Sequence, residues 1–360
     1  MKKILTRTAA ALLAAVLLLP GHVGAIGAEK AILLDGQTGR VLYEKNADSR
    51  SLIASCTKIM TALVICEQCN VLDRVKIPKE AVGIEGSSMY LKEGEVLTVQ
   101  ELLYGLMLRS GNDAAVALAI YCGGTVECFA GLMNDKAHRL GLTGTHFVNP
   151  HGLDSPDHYS TARDLALLAA YAMRDPLFLQ TVSTKNVRVG ERSLTNHNKL
   201  LWQVEGADGV KTGYTKAAGR ILVSSATRQG RRLICVTIND GSDWADHAAL
   251  LNEGFSRYAV KNVVEKGDVL GTVQILSGEK QQVRVLAAED FSFALAEDEK
   301  PNVVLSGPGF AYAPVVSGAD AGYAYVCIGE EIIGKIPLIY EETVEIRKET
   351  KKHFWDRWFK

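Results

Sequence analysis

Hydrophobic residues recur along this chain at two different periods, and the switches between them outline the elements. Residues 31–45 carry two strand-like runs, AILLD and RVLYEK, on either side of the turn Gly36-Gln37-Thr38-Gly39, and predict a hairpin. Residues 52–69 are apolar at helical spacing. A second helix is expected over 98–108, where Thr98 and Glu101 make a capping box and Leu97 with Leu102 a hydrophobic staple. An alanine-rich helix runs on from Asp113 and is stopped by Gly123-Gly124. Thr161 and Asp164 open another, which is expected to end before Pro176.

Beyond Gly219 the period returns to two. ILVSSAT and RRLICVTI flank Arg228-Gln229-Gly230 as a second hairpin, and a helix is expected over about 244–258. Strands, then helices, then strands and a helix predict an α+β domain whose sheet is completed by both chain ends. Past 262–267 short alternating runs take over, such as Phe291/Phe293/Leu295 and Tyr323/Tyr325/Cys327, with turn clusters such as Ser306-Gly307-Pro308-Gly309 between them. A small all-β second domain is expected there, and it carries no cluster of chemically useful side chains.

Composition narrows the class. Of 360 residues, 47% are hydrophobic and 22% charged, which excludes an intrinsically disordered chain. Lys+Arg is 40 against Asp+Glu 41, so no net field points to nucleic acid. The long apolar run, residues 9–19, sits at the N-terminus behind Lys2, Lys3 and Arg7. It is short for a membrane span, Pro20-Gly21 breaks it, and Val23-Gly24-Ala25 offers small residues to a leader peptidase. Residues 1–25 therefore predict a secretory signal peptide cleaved after Ala25, with an uncleaved anchor as the alternative, and a protein that works outside the cytoplasm. The seven cysteines are odd in number. Cys66 and Cys69 form C-x-x-C without a second pair or a histidine pair at ligand spacing, so they read as small buried hydrophobes. The eight histidines are scattered and imply no metal.

Three short motifs carry candidate chemistry. Ser55 and Lys58 stand at i and i+3, one turn apart on one helix face, where a lysine of lowered pKa can take the serine proton. Ser110 and Asn112 fall in the break between two helices and can point into a cleft, although caps are their commoner use. Lys211-Thr212-Gly213 opens a strand. Alternation sends Lys211 and Gly213 to one face and Thr212 to the other, and the glycine is expected to let a substrate backbone approach. Such an edge can bind an extended peptide by strand addition. Each motif alone is weak. Together, in this order, Ser-x-x-Lys, Ser-x-Asn and Lys-Thr-Gly are the signature of class A β-lactamases and penicillin-binding proteins.

With TKIMTAL, LMLRSGNDAAVALA, FVNPHGL and DGVKTGYTKAAGR around those motifs, the chain resembles the D-alanyl-D-alanine carboxypeptidases, the low-molecular-weight penicillin-binding serine peptidases. The likeness runs from about residue 28 to the end. It implies a β-lactamase/transpeptidase-like α+β domain over 26–262 (an antiparallel sheet flanked by helices, plus a helical region), a small β-rich domain over 263–345 and a C-terminal amphipathic helix over 346–360. By the same resemblance, Ser55 is the nucleophile and Lys58 its general base. Ser110, coupled to Lys211, passes a proton to the departing D-alanine. Asn112 bonds the substrate amide and helps hold Lys58. Backbone N–H groups of Ser55 and Tyr214 form the oxyanion hole, Thr212 binds the terminal carboxylate, Gly213 belongs to the same substrate strand, and His197 stands at the cleft wall. Cys56 occupies a position where relatives commonly carry methionine, and is not expected to act as nucleophile. His151 is expected to be structural. No cofactor is implied. The partners implied are peptidoglycan stem peptides, β-lactams as inhibitors and a membrane surface, with localisation at the outer face of the cytoplasmic membrane.

Rival readings stay on the same fold. A class A β-lactamase needs a glutamate after Ser-x-Asn, and none occurs between Glu127 and Glu191. A transpeptidase shares the acyl-enzyme, and a non-catalytic wall-binding protein would not need Ser55, Lys58 and Lys211. In the tail, Phe354, Trp355, Trp358 and Phe359 share one helix face among Lys and Arg residues, the pattern of an in-plane membrane anchor, with a helix packed on the β domain as the alternative.

Overall fold

The computed structural model describes residues 26–307 and 309–348. The signal peptide (1–25) and most of the anchor helix (346–360) expected from sequence lie outside them. The chain divides into two compact units, up to Arg257 and from Tyr258 on. The junction falls ahead of the expected 262/263 boundary because the strand that starts at Tyr258 pairs within the second unit.

The first unit is built on an antiparallel five-stranded sheet. Its strands are β1 (Lys30–Asp35), β2 (Val41–Lys45), β3 (Ala207–Thr215), β4 (Gly219–Arg228) and β5 (Arg231–Ile238), in the order β2-β1-β5-β4-β3. Both chain ends do complete it, since β1 pairs with β5 from Lys30↔Ile238 to Asp35↔Leu233. Period-two alternation explains how one sheet serves two cores. Ile32, Leu34, Ile234 and Val236 face the larger core, while Ala31, Leu33, Leu233 and Cys235 face a smaller one closed by Leu250 and Leu251.

The larger core contains the helical region: α1 (Lys58–Gln68), α2 (Val99–Leu108), α3 (Asn112–Gly123), α4 (Val126–Arg139), α5 (Ala162–Ala172) and α6 (Pro176–Ser183). α7 (Asp243–Arg257) covers the other face of the sheet against β4 and β5. The Thr98/Glu101 capping box forms as the sequence requires, and Thr161 caps α5 by accepting from the Asp164 amide. The helix opened by Thr161 ends before Pro176 as expected, and Pro176 itself starts the next one. It occupies the first turn of α6, where its missing N–H costs nothing, and Asp175 caps that helix. α1 is buried from Lys58 to Ile65, all the way round, which is why a periodicity reading recognised a helix but not its central place. The expected helix over 52–69 is in two parts, a 3-10 turn at Ala54–Thr57 followed by α1.

Among the described residues the second unit is all β. β6 (Tyr258–Val264) pairs with β9 (Phe291–Ala296). β7 (Val269–Leu276), β8 (Gln282–Ala287), β10 (Asn302–Ser306), β11 (Phe310–Tyr312), β12 (Asp320–Ile328) and β13 (Glu331–Tyr340) form a six-stranded sheet ordered β10-β12-β13-β8-β7-β11. Val264, Ala287, Val326 and Ile336 make one of its small cores.

Candidate active site

Ser55 sits in the 3-10 turn that feeds α1. In such a turn residues i and i+3 eclipse, so Ser55 is set over Lys58. The turn is held under strain: Ala54 has φ +45°, a region that costs a non-glycine residue free energy. A chain of hydrogen bonds keeps it there. The Val148 N–H donates to His158 Nδ1 (3.1 Å), which leaves the proton of a neutral ring on Nε2. That proton goes to Thr57 Oγ1 (2.7 Å), and the Thr57 hydroxyl donates to the Ala54 carbonyl (2.8 Å). Burial holds His158 neutral, its pKa lowered to about 4. Gly152, with φ +91°, closes over the same carbonyl, and a Cβ there would lie 1.8 Å from Ala54 O. The FVNPHGL loop therefore reaches the turn only with glycine at that position.

Lys58 is fully buried, and its Nζ meets three oxygens: Asn112 Oδ1 at 2.6 Å, the His151 carbonyl at 2.7 Å and Ser55 Oγ at 3.0 Å. Two of these are carbonyls, which can only accept. In the neutral amine they take both N–H bonds, so the lone pair is left for the one partner that can donate, the Ser55 hydroxyl. Burial lowers the lysine pKa well below its ordinary value, and the charge of Lys211 lowers it further. Asn112 is itself oriented. Its Nδ2 donates to Glu85 O (2.5 Å) and its backbone N–H to Ser87 O (2.7 Å), which turns Oδ1 to the lysine. The next residue, Asp113, accepts from Ser88 Oγ, Met89 N and Leu91 N, and Arg192 donates to Met89 O and Tyr90 O. The 85–91 segment is thereby fastened beside the cleft that Ser55 and Ser87 line.

β3 forms the opposite wall. Lys211 is buried, its pKa lowered to about 8 by desolvation, and its ammonium donates to Thr212 O at 2.7 Å. No hydrogen bond joins Lys211 Nζ to Ser110 Oγ among the described residues, so the coupling expected between them is not a direct contact here. Gly213 has a packing reason that sequence did not give. A Cβ on it would come within 3.2 Å of Cys56 Sγ and of Ile53 O, so glycine lets the strand lie against the Ser55 turn. The Cys56 thiol is buried and its pKa is raised to about 12 by desolvation, which keeps it protonated and inert.

An open cleft of about 450 Å³ joins these parts. Ser55, Ser110, His197, Thr212, Gly213 and Tyr214 line it, as the motifs require, while Lys58, Asn112 and Lys211 are buried. His197 Nε2 faces Arg109 Nη1 at 3.3 Å; a guanidinium only donates, so the ring accepts there and is neutral. Burial, Lys211 and Arg109 all lower its pKa. Sequence reasoning missed several residues. Ser87 lines the cleft. Arg220 at the head of β4 also lines it and is clamped by Asp243 through two bonds (2.6 and 3.2 Å), with Trp244 beside them. The His151 carbonyl was missed too, although the NPHGL stretch that carries it stood out.

Two family profiles match the chain: D-alanyl-D-alanine carboxypeptidase over residues 19–242, and the penicillin-binding protein 5 C-terminal domain over 258–346. The D-alanyl-D-alanine carboxypeptidase DacF of Bacillus subtilis (strain 168) is 32% identical over 334 residues, 88% of this chain and 86% of that protein. DacC of Escherichia coli (strain K12), of the same description, is 35% identical over 340 residues, 89% of this chain and 85% of that one. Among solved structures, penicillin-binding protein 5 from Haemophilus influenzae superposes with a TM-score of 0.78 at 30% identity, over 91% of this chain and 99% of its own.

Proposed function

Because the chain belongs to the D-alanyl-D-alanine carboxypeptidase family and is a serine-type hydrolase of that class, we propose that Ser55 is its nucleophile and Lys58 its general base. The observation that carries this reading is the third contact of Lys58. With two N–H bonds given to carbonyls, the amine lone pair addresses the Ser55 hydroxyl and nothing else.

The geometry supports the following course of reaction. The stem peptide lies along β3, its terminal carboxylate on Thr212. Lys58 takes the Ser55 proton as Oγ attacks the penultimate D-alanine carbonyl, and the backbone N–H groups of Ser55 and Tyr214 hold the oxyanion. Ser110, with Lys211 supplying charge, relays the proton held by Lys58 to the leaving D-alanine, which returns Lys58 to an amine and Ser110 to a hydroxyl. Asn112 binds the substrate amide while it keeps Lys58 aimed. Water then attacks the acyl-enzyme, Lys58 again taking the proton. A β-lactam enters by the same first step. No glutamate stands between Glu127 and Glu191 to speed its release, so acylation inhibits the enzyme. Gly213 keeps β3 close to the nucleophile turn, and His197 forms the wall opposite.

The substrate is peptidoglycan, outside the cytoplasm. Residues 1–25 export the chain as a cleaved signal peptide, and residues 346–360 hold the mature enzyme to the membrane surface by an amphipathic helix. Catalysis belongs to the first unit, and along the sequence the β-rich unit separates it from the anchor. D-alanine release from a pentapeptide ending in D-Ala-D-Ala tests the assignment. Ser55→Ala is expected to abolish both release and labelling by a fluorescent penicillin. Retained labelling in that variant overturns the nucleophile, and rapid turnover of penicillin without acylation overturns the class. Deletion of 346–360 is expected to free the enzyme from membranes with peptide hydrolysis intact; undiminished membrane association would remove the anchor.

A further inference from the structure

A place for a positive charge stands behind the cleft wall. Asp240, 1% exposed, follows β5; its Oδ1 accepts from the Ser242 N–H at 2.9 Å, while its Oδ2 is buried without a partner. Asp246, one turn into α7, accepts the Gly27 N–H at 2.7 Å. A Cβ on Gly27 would lie 3.4 Å from Asp246 Oδ2 and 3.7 Å from Asp240 Oδ1, so both carboxylates face the same point of the chain. No salt bridge reaches either one among the described residues. The other charged groups nearby are engaged elsewhere. Lys45 gives its ammonium to the Ile26 and Ala28 carbonyls, Asp243 holds Arg220, and Glu29 holds Lys30 and Asn239. Burial and the charges of Asp246 and Asp243 raise the Asp240 pKa, against hydrogen bonding from the Ser242 N–H and the Thr237 hydroxyl, which lowers it.

The residue before Gly27 supplies a positive charge once the leader is gone. Ile26 is 6% exposed, its side chain set in the core with Ala28, Leu33, Leu250 and Leu251, and its nitrogen is one residue away from the Gly27 N–H that Asp246 accepts. Resting on the signal-peptide reading, we propose that cleavage after Ala25 creates an α-ammonium on Ile26 that binds between Asp240 and Asp246. A leader peptidase adds water across the Ala25–Ile26 bond. The C–N bond breaks, the hydroxyl goes to the Ala25 carbonyl carbon and the other proton of the water to the nitrogen, and the new carboxylic acid gives its proton to the amine, which leaves a carboxylate on Ala25 and an ammonium on Ile26. A neutral amide thus becomes a cation next to two carboxylates, and only in the processed enzyme. The pair bears on the reaction through its position. The Asp240 N–H donates to Arg220 O (3.1 Å), and three residues on Asp243 clamps the Arg220 guanidinium in the cleft. Processing fastens the 239–244 turn that forms this wall.

The test compares full-length mature protein starting at Ile26 with protein that keeps Gly24-Ala25 ahead of it. Reductive 13C-methylation of the N-terminus reports its titration by NMR. The Ile26 amine is expected to bind its proton at least tenfold more tightly than an ordinary α-amino group of pKa about 7.7–8.0. That gain is lost in the extended protein and in the surface-accessible Asp246→Asn variant. Thermal unfolding of the Ile26 form is expected above that of its N-acetylated counterpart. An Ile26 amine that titrates normally overturns the proposal alone. N-terminal sequencing of enzyme processed in its own host that finds a start other than Ile26 overturns the leader reading and the proposal with it.

Discussion

Asn112→Asp isolates the step on which catalysis turns. The substitution keeps the size of the side chain and the acceptor 2.6 Å from Lys58 Nζ, but turns a neutral amide into a carboxylate in a buried site. A carboxylate this close favours the charged form of its partner, and measured cases of such pairing lie at about 1.4–4 kcal/mol. The sign is unambiguous. Burial and Lys211 now hold Lys58 toward its neutral form; the new charge opposes both and favours the ammonium, whose nitrogen has no lone pair for the Ser55 proton. At neutral pH, kcat/KM for D-alanine release and the rate of penicillin acylation are each expected to fall by about 10–1,000-fold. Activity should return as pH rises, with the acidic limb of the pH–rate profile displaced upward. Asn112→Leu serves as the control. It also loses the oriented acceptor, and the bond to Glu85 O, but adds no charge, so its loss of rate carries no upward displacement. A carboxylate variant whose profile coincides with that of the native enzyme would refute Lys58 as the base.

Two further outcomes follow from the supports of the site. Thr57→Val leaves the His158 Nε2–H and the Ala54 carbonyl without their partner, and at about 1–3 kcal/mol for each buried group a loss of about 2–6 kcal/mol is expected in urea unfolding. A loss below about 0.5 kcal/mol would show that the relay does not hold the strained turn. Acid should destabilise the fold from near pH 6.5 downward, because burial lowers the pKa of His151 and His247 from 6.5 to about 3 and that of His158 to about 4. The unfolded chain takes up these protons first, so stability is full above 6.5 and is lost as pH falls toward 3–4. His247→Gln, which can still bond Ser224 and Thr237, should flatten that slope, and an unaltered slope would point to other groups.

Local chemistry was legible in the residues themselves. The Thr98/Glu101 box, the Thr161 cap, the alternation of β1, β4 and β5 and the order Ser-x-x-Lys, Ser-x-Asn, Lys-Thr-Gly act over a few residues, and neighbours in sequence suffice to express them. They determined the elements, the α+β class and the reacting groups. What they left undetermined is where long-range packing acts. The 3-10 turn was read as helix because its hold comes from His158 and Gly152, far along the chain. The close approach of β3 to the Ser55 turn at Gly213 was not legible, because nothing in Lys-Thr-Gly tells that Cys56 lies against it. The carbonyls of His151, Glu85 and Ser87 leave no mark in sequence, since every residue type carries one. The pairing of Arg220 with Asp243 joins a strand to a helix, and no local period connects them. The sequence by itself thus determined which side chains could react. Only the tertiary structure decided that the Lys58 pKa is lowered and that its nitrogen meets the Ser55 hydroxyl, because desolvation and the aim of its three oxygen partners are properties of the surroundings and not of the residue.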